Sequence, residues 1–259
     1  MRRRHRLAAR GSRCPPPAAR QAGRSAVIGS TQAFERTLVV APHPDDEVLG
    51  AGGTMAALTQ AGCSVFVAVV TTGKAPDFDM RQVTTVREEC ARAHEKLGVR
   101  ETLWLDQPAA RLSEVAHVEL NAALSGVVDA VRPGALVLPF VGDIHMDHQL
   151  TFLSGLVAAR PHGPKFPPLV LAYETLSETN WNAPYLSPSF QPNYFVDISS
   201  TIDLKLDAMA AFSSQVRSFP HERSIEALEA LAVMRGVTVG CAAAEAFVLL
   251  RNVINFELA

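Results

Sequence analysis

The sequence predicts an α/β domain with a mainly parallel sheet covered by helices on both faces. From residue 37 onward, short apolar runs of strand length alternate with longer stretches of helical periodicity, which is the pattern of parallel-sheet folds. A length of 259 residues with 48% hydrophobic composition suits one domain with a sizeable core. The chain shows no internal repeat, so residues 36–259 are predicted to form a single domain.

The predicted elements follow one another regularly along the chain. Strands are expected at residues 37–41, 64–71, 102–105, 135–139, 169–173 and 194–198, with a last one near 247–251. Helices are expected at 53–60, 83–97, 115–131, 147–159 and 202–215, and in the stretch from residue 224 onward. Ligands of such folds bind beyond the carboxyl ends of the strands. Polar residues that directly follow strands are therefore the candidates for a site.

Charge is distributed unevenly along the chain. Residues 1–24 contain eight arginines and no acidic residue, which leaves an acidic remainder in a chain of net charge -2. An acidic domain argues against a nucleic-acid partner, whose phosphates require a basic surface. The Arg-, Pro- and Ala-rich composition of residues 1–35 predicts a disordered extension. An organelle-type transit segment and a basic arm are the alternatives for this stretch.

Hydropathy and cysteine spacing favour a cytoplasmic protein. No run approaches the roughly 18 apolar residues of a transmembrane helix. The four cysteines, at positions 14, 63, 90 and 241, are widely spaced and form no CxxC motif, which indicates reduced thiols. The sequence leaves open whether the chain forms a homo-oligomer.

The densest polar cluster follows the first predicted strand. His43, Pro44, Asp45, Asp46 and Glu47 place four ionisable side chains within five positions. Carboxylates crowded at the end of a buried strand repel one another unless a cation lies between them, and a divalent metal ion is such a cation. Proline restricts the backbone between the candidate ligands, which helps to preorganise a site.

A second polar cluster follows the strand predicted at 135–139. His145 and His148 lie three residues apart, with an aspartate between them. Core histidines tend to occur singly, whereas this pair lies just past a strand. Taken alone, the pair fits either a ligand site or a solvated loop.

Together the two clusters supply the ligands of a catalytic zinc site. His43, Asp46 and one of the two distal histidines make a set of two histidines and one carboxylate. A catalytic zinc site takes three protein ligands and keeps one position open for water. Asp45 remains free to act as the general base on that water.

At these residues the chain resembles the PIG-L/LmbE-like family of zinc-dependent deacetylases, which act on N-acetylated sugars. The resemblance rests on PHPDDE at 42–47, VREECARAHEKLG at 86–98, HMDH at 145–148 and MRGVTVGCAAAEAF at 234–247. It covers most of the chain from about residue 36 and implies a single Rossmann-like three-layer domain. The Arg-rich residues 1–35 are not part of the family pattern.

Carried over motif by motif, the resemblance implies a role for each site residue. His43, Asp46 and His148 would bind zinc, with Fe²⁺ or another divalent metal left open. Asp45 would be the general base. His145 would be the cation or hydrogen-bond donor that faces the developing oxyanion.

Three further residues have candidate roles around this site. Arg87 stands where members of the family place an arginine that reaches substrate hydroxyls. Asp106 follows a predicted strand, where it could accept hydrogen bonds from a sugar. The alternatives are a surface ion pair for Arg87 and a turn residue for Asp106. Glu47 is expected to orient His43 or the backbone.

The expected activity is metal-assisted hydrolysis of an N-acetylated amino sugar or glycoconjugate of the N-acetylglucosamine type, which releases acetate and a free amine. Two histidines and one carboxylate also suit a non-haem Fe(II) oxygenase, although the α/β alternation is unlike the jelly-roll cores common for that chemistry. A non-catalytic sugar-binding protein is the second alternative. Asp45 argues against it, because binding alone needs no base beside the metal.

Overall fold

The structure, a computed structural model, describes residues 31–162 and 166–254. Its strands are Arg36–Ala41 (β1), Ser64–Thr72 (β2), Glu101–Pro108 (β3), Ala135–Pro139 (β4), Leu169–Tyr173 (β5), Tyr194–Asp197 (β6) and Ala244–Asn252 (β7). Its helices are Asp46–Gln60 (α1), Met80–Leu97 (α2), His117–Val131 (α3), Met146–Ala158 (α4), Ile202–Ala210 (α5) and Ile225–Val239 (α6). The strands form one sheet in the order β3-β2-β1-β4-β5-β7-β6. Within the described ranges only β7 runs opposite to the other strands, so the prediction of a mainly parallel sheet is confirmed.

Helices cover both faces of the sheet. Successive residues of a strand point to opposite faces, so each strand contributes to both cores. In β1, Val39 joins the core beneath α1, α2 and α5, whereas Leu38 and Val40 join the core beneath α3 and α4. All three side chains are at most 1% exposed. Burial on both faces explains why the strands read as continuous apolar runs. The predicted three-layer α/β architecture is confirmed.

The two polar clusters meet at the carboxyl ends of two central strands, β1 and β4. β1 and β4 are parallel neighbours, so the chain leaves both strands at the same edge of the sheet. The strand order reverses between them, since β2 and β3 lie beyond β1 whereas β5 lies beyond β4. Such a reversal creates the crevice in which open α/β sheets bind ligands. The topology therefore brings the segments after β1 and β4 together.

Helix α1 begins at Asp46, not at residue 53 as predicted. The stretch between contains several glycines, and each glycine costs a helix about 1 kcal/mol relative to alanine. Packing explains why the helix forms nevertheless. A Cβ atom on Gly50 would lie 2.1 Å from Cδ2 of Tyr173, so only glycine allows the helix to approach β5 this closely. Tertiary contact overrides helix propensity and puts Asp46 in the first helical turn.

Helix α5 ends at Ala210, whereas the prediction extended it to residue 215. The chain beyond α5 is anchored by Glu89 of α2. This buried carboxylate accepts hydrogen bonds from Oγ of Ser213 and from both the backbone N–H and Oγ of Ser214, at 2.5–2.9 Å. The carboxylate therefore fixes a loop where the periodicity predicted a last helical turn.

The amino-terminal boundary of the domain stays a prediction. Thr31–Glu35 form a single 3₁₀ turn, and Phe34 within it packs on the core at 8% exposure. Residues 1–30, which make up most of the predicted extension, lie outside the described residues. Across residues 31–162 and 166–254, no helix combines the length and apolar character needed to cross a membrane.

We expect Gly50→Ala to destabilise the protein, because the added methyl group would overlap the ring of Tyr173. Overpacking a core typically costs about 1–3 kcal/mol. Gly126 in α3 offers a matched control, since a Cβ there meets nothing within 4 Å; Gly126→Ala should stabilise the helix by about 0.5–1 kcal/mol. Urea unfolding measures both free energies of unfolding. Equal values for the two variants would contradict the packing explanation.

Candidate metal centre

The turn after β1 presents the first side chains of the site. Asp45 immediately precedes α1 and has a φ of 115°, a conformation that strains a residue with a Cβ by about 1–3 kcal/mol. Its side chain does not cap the helix, so its carboxylate is free for other contacts. Asp46 opens the helix, where the helix dipole favours a negative charge. Adjacent aspartates thus enter the site from different backbone conformations.

The turn after β4 presents two histidines in different settings. His145 immediately precedes α4, and its Nδ1 accepts a hydrogen bond from the backbone N–H of Asp147 at 3.1 Å. His148 lies one turn later in the helix and is fully buried. His145 is only partly buried and lines the cavity described below. The two histidines therefore differ in their access to the cavity, with His148 enclosed in the protein and His145 at the cavity wall.

Three side chains converge at this edge of the sheet. Oδ2 of Asp46 lies 3.2 Å from Nδ1 of His43 and 3.2 Å from Nε2 of His148. One ligand atom from each of the three residues lies within 4.8 Å of the other two. Asp46 and His148 are 1% and 0% exposed, whereas His43 is 24% exposed. The fold thus brings together the three residues expected to bind metal, with His43 on the accessible side.

The hydrogen bonds of these side chains fit a divalent metal ion. Oδ1 of Asp46 and Nε2 of His148 are buried atoms without a hydrogen-bond partner, an arrangement that costs about 1–3 kcal/mol per atom unless a ligand binds. The far ring nitrogens are already held. Nε2 of His43 lies 3.1 Å from Oδ2 of Asp147, and Nδ1 of His148 lies 2.8 Å from Oδ2 of Asp143. Metal-binding histidines commonly have such a carboxylate partner, which orients the ring.

A second set, His43, His145 and Asp147, also has ligand atoms within 4.8 Å of one another. Its acceptors are already satisfied by the backbone. Oδ2 of Asp147 accepts from the N–H of Ala110 at 2.7 Å, and Oδ1 accepts from the N–H of Leu112 at 3.1 Å. Because Nδ1 of His145 is also bonded to a backbone N–H, this set fits a metal less well than the first.

Without a bound metal, the two candidate ligand histidines carry the charge that balances Asp46. Burial lowers the pKa of His43, but the hydrogen bond to Asp147 and the charge of Asp46 outweigh it and raise the pKa to about 9. Burial also lowers the pKa of His148, while Asp46 and Asp143 raise it to about 10. Burial raises the pKa of Asp46, but the two histidines hold that pKa well below its ordinary value. A metal ion would replace the protons of the histidines.

Asp45 faces the cavity and is held by an arginine from a distant loop. Its Oδ2 accepts a hydrogen bond from Nη1 of Arg223 at 3.1 Å, and Nε of Arg223 donates to Oγ of Ser177 at 2.9 Å. Burial raises the pKa of Asp45 to about 8, against the opposing charge of Arg223. A nearby metal cation would lower that pKa and favour the carboxylate form.

His145 is placed as a hydrogen-bond donor. Burial and the charge of His43 lower the pKa of His145, which favours the neutral ring at neutral pH. Because Nδ1 accepts the N–H of Asp147, the hydrogen of a neutral ring is on Nε2. The ring lies edge-on to His43, with centroids 4.6 Å apart. Of the two roles expected for His145, the geometry favours the N–H donor over the permanent cation.

Arg87 and Asp106 pair with each other, as the ion-pair alternative anticipated. Arg87 also donates to Oγ1 of Thr72 at 2.8 Å, and its guanidinium lies 4.2 Å from the centroid of the Trp104 ring. Arg87 lines the cavity, whereas the side chain of Asp106 is 57% exposed. The ion pair therefore orients Arg87 at the cavity wall.

The site opens into a cavity of about 350 Å³, within the range of small-molecule sites. Polar residues of the lining include His43, Asp45, His145, Glu178 and Arg223, and apolar ones include Phe78, Val83, Val86 and Trp104. Titratable side chains with perturbed pKa values in a cavity of this kind are typical of an active site. A ligand with both polar and apolar parts fits this lining.

Three important residues had little or no signal in the sequence. Asp143 and Asp147 orient the ligand histidines, and their only signal is that aspartates stand next to candidate histidine ligands. Arg223 belongs to none of the motifs. It lies 178 positions from Asp45, so no local spacing connects the two residues. Glu47 orients the backbone and not His43, since its Oε2 accepts the N–H of Asp45 at 3.1 Å.

We expect His43→Ala, Asp46→Ala and His148→Ala each to lower the amount of bound metal, because each removes one of the three converging ligands. His145→Ala is the matched control. Its Nδ1 is already bonded to the backbone, so this variant should keep its metal nearly intact. Metal content of the purified proteins is the measurement. Metal loss in His145→Ala together with retention in His148→Ala would reverse the assignment within HMDH.

Metal affinity should rise with pH between about pH 6 and pH 9, because only neutral histidine binds metal. His43 and His148 have pKa values of about 9 and 10 without metal, so protons compete throughout this range and fewer compete at higher pH. Calorimetric titration in buffers of different ionisation enthalpy should show proton release. His145→Ala should keep the same pH dependence. Affinity independent of pH would contradict the raised pKa values.

Known proteins resemble this chain in sequence and in fold. The family model described as PIG-L, GlcNAc-PI de-N-acetylase, matches residues 38–159, which include both clusters. The diacetylchitobiose deacetylase of Thermococcus kodakarensis is 30% identical over 203 residues, and the match covers 73% of this chain and 72% of that protein. The uncharacterized deacetylase YaiS of Escherichia coli is 29% identical over 179 residues, covering 66% of this chain and 90% of that protein.

A solved structure supports the same relationship. The conserved protein TT1542 from Thermus thermophilus is 26% identical and superposes with a TM-score of 0.68, covering 86% of this chain and 98% of that one. The family match, the identity to the two deacetylases and the shared fold agree with the motifs and the site. The chain belongs to the PIG-L family of de-N-acetylases.

Proposed function

We propose that this chain is a zinc-dependent N-deacetylase that acts on an N-acetylated amino sugar or glycoconjugate of the N-acetylglucosamine type. The observation that carries the proposal is a cluster of three side chains, His43, Asp46 and His148, that could hold a metal ion, with the carboxylate of Asp45 beside it in the cavity. Family membership supports amide hydrolysis, and the relative that is a diacetylchitobiose deacetylase supports a sugar substrate. The products would be acetate and a free amine.

The proposed reaction gives each polar side chain one task. Bound zinc would supply a water of pKa about 7 and a polarised amide carbonyl. Asp45 accepts a proton from the water as its oxygen adds to the carbonyl carbon, and later returns that proton to the departing nitrogen as the C–N bond breaks. Nε2–H of His145 donates to the carbonyl oxygen as it gains negative charge. Arg223 keeps the carboxylate of Asp45 directed into the cavity.

The substrate hydroxyls are proposed to bind at the wall formed by Arg87. Arg87 lines the cavity, and its contacts with Thr72 and Asp106 hold the guanidinium over Trp104. A fixed, planar donor group suits vicinal hydroxyls better than a mobile one. Asp106 contributes by pairing with Arg87.

The two alternatives from the sequence are less well supported. Family membership favours deacetylation over an Fe(II) oxygenase, and a metal analysis with a test for oxygen consumption separates the two. A non-catalytic sugar-binding protein would not need Asp45 held beside the metal ligands by Arg223. The choice of zinc over another divalent metal, the cytoplasmic location and any homo-oligomer stay predictions.

An acetate-release assay over a panel of N-acetylated amino sugars tests the proposal, with Asp45→Asn as the decisive variant. Asparagine keeps the size of the side chain but cannot accept the proton. We expect normal metal content, retained sugar binding and a kcat lower by about 10²–10⁴-fold, the usual contribution of a general base. Asp129→Asn, at an exposed position of α3, is the matched control. Near-normal turnover by Asp45→Asn would refute the assignment.

A further inference from the structure

We propose that His94 is a positioning residue for Asp45 and acts through Glu47; the inference rests on the proposed function. A buried chain of hydrogen bonds leads from β3 to the turn before α1. Oγ1 of Thr102 is hydrogen-bonded to Nδ1 of His94 at 2.6 Å, and Nε2 of His94 donates to Oε1 of Glu47 at 2.9 Å. Oε2 of Glu47 then accepts the backbone N–H of Asp45 at 3.1 Å.

Glu47 needs the contact with His94 because it is a carboxylate without access to water. The side chains of Glu47 and His94 are 0% and 4% exposed, and a buried carboxylate is tolerated only when hydrogen bonds compensate its charge. Glu47 is the second residue of α1, and its side chain reaches back to the backbone N–H of Asp45, the residue before the helix. The Asp45 side chain makes no return contact, since it does not cap α1.

The backbone and the side chain of Asp45 are therefore held by different partners. Glu47 holds its backbone N–H, and Arg223 holds its carboxylate. A non-glycine residue at a φ of 115° keeps that conformation only when its surroundings enforce it. Loss of the hydrogen bond from His94 would free the Glu47 carboxylate to turn away. The strained turn would then relax and move the carboxylate of Asp45 away from its position beside Arg223 at the cavity.

This buried cluster is not a second metal site. Glu47, Cys90 and His94 do have ligand atoms within 4.8 Å of one another. However, both ring nitrogens of His94 and both carboxylate oxygens of Glu47 have hydrogen-bond partners. None of these atoms is among the buried unpartnered atoms of the described residues, unlike Oδ1 of Asp46. The cluster is thus a chain of hydrogen bonds in which both ring nitrogens and both carboxylate oxygens already have partners.

The first test compares His94→Asn with the wild-type protein, because the shorter amide cannot replace the Nε2 donor that contacts Glu47. We expect kcat to fall by about 10–100-fold, the usual effect of losing a residue that supports a metal or catalytic side chain, while KM and metal content are retained. Thr59→Val is the matched control. It removes the bond from Oγ1 of Thr59 to the carbonyl of Leu97, which joins the same two helices at 2.7 Å without touching Glu47; kcat should not change.

A double-mutant cycle separates positioning from a general loss of structure. If His94 acts through Asp45, adding His94→Asn to Asp45→Asn should lower kcat no further. An equal fold-loss in both backgrounds, loss of metal, or an unchanged kcat in the single variant would each overturn the proposal. Should His94→Asn fail to fold, Thr102→Val carries the same measurements with a smaller expected loss.

Amide hydrogen exchange gives a readout that does not depend on activity. The N–H of Asp45 should exchange faster in His94→Asn than in wild type, and at the wild-type rate in Thr59→Val. Unchanged exchange at Asp45 in His94→Asn would overturn the proposal. A wild-type protein that releases no acetate from any N-acetylated sugar would refute the proposed function. The exchange measurement would still decide whether the hydrogen bond from His94 to Glu47 holds the turn at Asp45.

Discussion

Burial of the Asp46 carboxylate is the interaction on which the rest of the site depends. A carboxylate at 1% exposure is costly unless opposite charge and donors surround it. Here the backbone N–H of His43 donates to it at 2.8 Å, and the rings of His43 and His148 lie at 3.2 Å. Asp147 and Asp143 in turn hold the far sides of those rings. A compact alternation of negative and positive groups results, and a divalent cation fits its centre.

The side chains of Asp45 and Asp46 face different groups because the backbone conformation changes between the two residues. Asp46 is in the first turn of α1, whereas Asp45 precedes it at a φ of 115°. The first carboxylate faces two histidines, and the second faces an arginine and the cavity. The strained backbone at this turn thus places the candidate metal ligand and the proposed base side by side.

The α/β sheet contributes position, and side chains contribute chemistry. A fold of this kind supports many unrelated activities, so fold alone says little about function. What matters is that β1 and β4 end side by side at the reversal of strand order. Segments from the far end of the chain complete the cavity, including the loop that Glu89 anchors after α5. The candidate active site is therefore assembled from both halves of the sequence around one strand pair.

The sequence by itself determined the α/β class, the strand positions and the two clusters that contain His43, Asp46 and His148. These features leave local patterns, because strands buried on both faces are continuous apolar runs and the ligands stand in short segments after them. Only the tertiary structure decided the early start of α1, the contact of Arg223 with Asp45 and the bond from His94 to Glu47. Each depends on groups far apart in the chain, and contacts over such separations leave no periodicity or spacing to read.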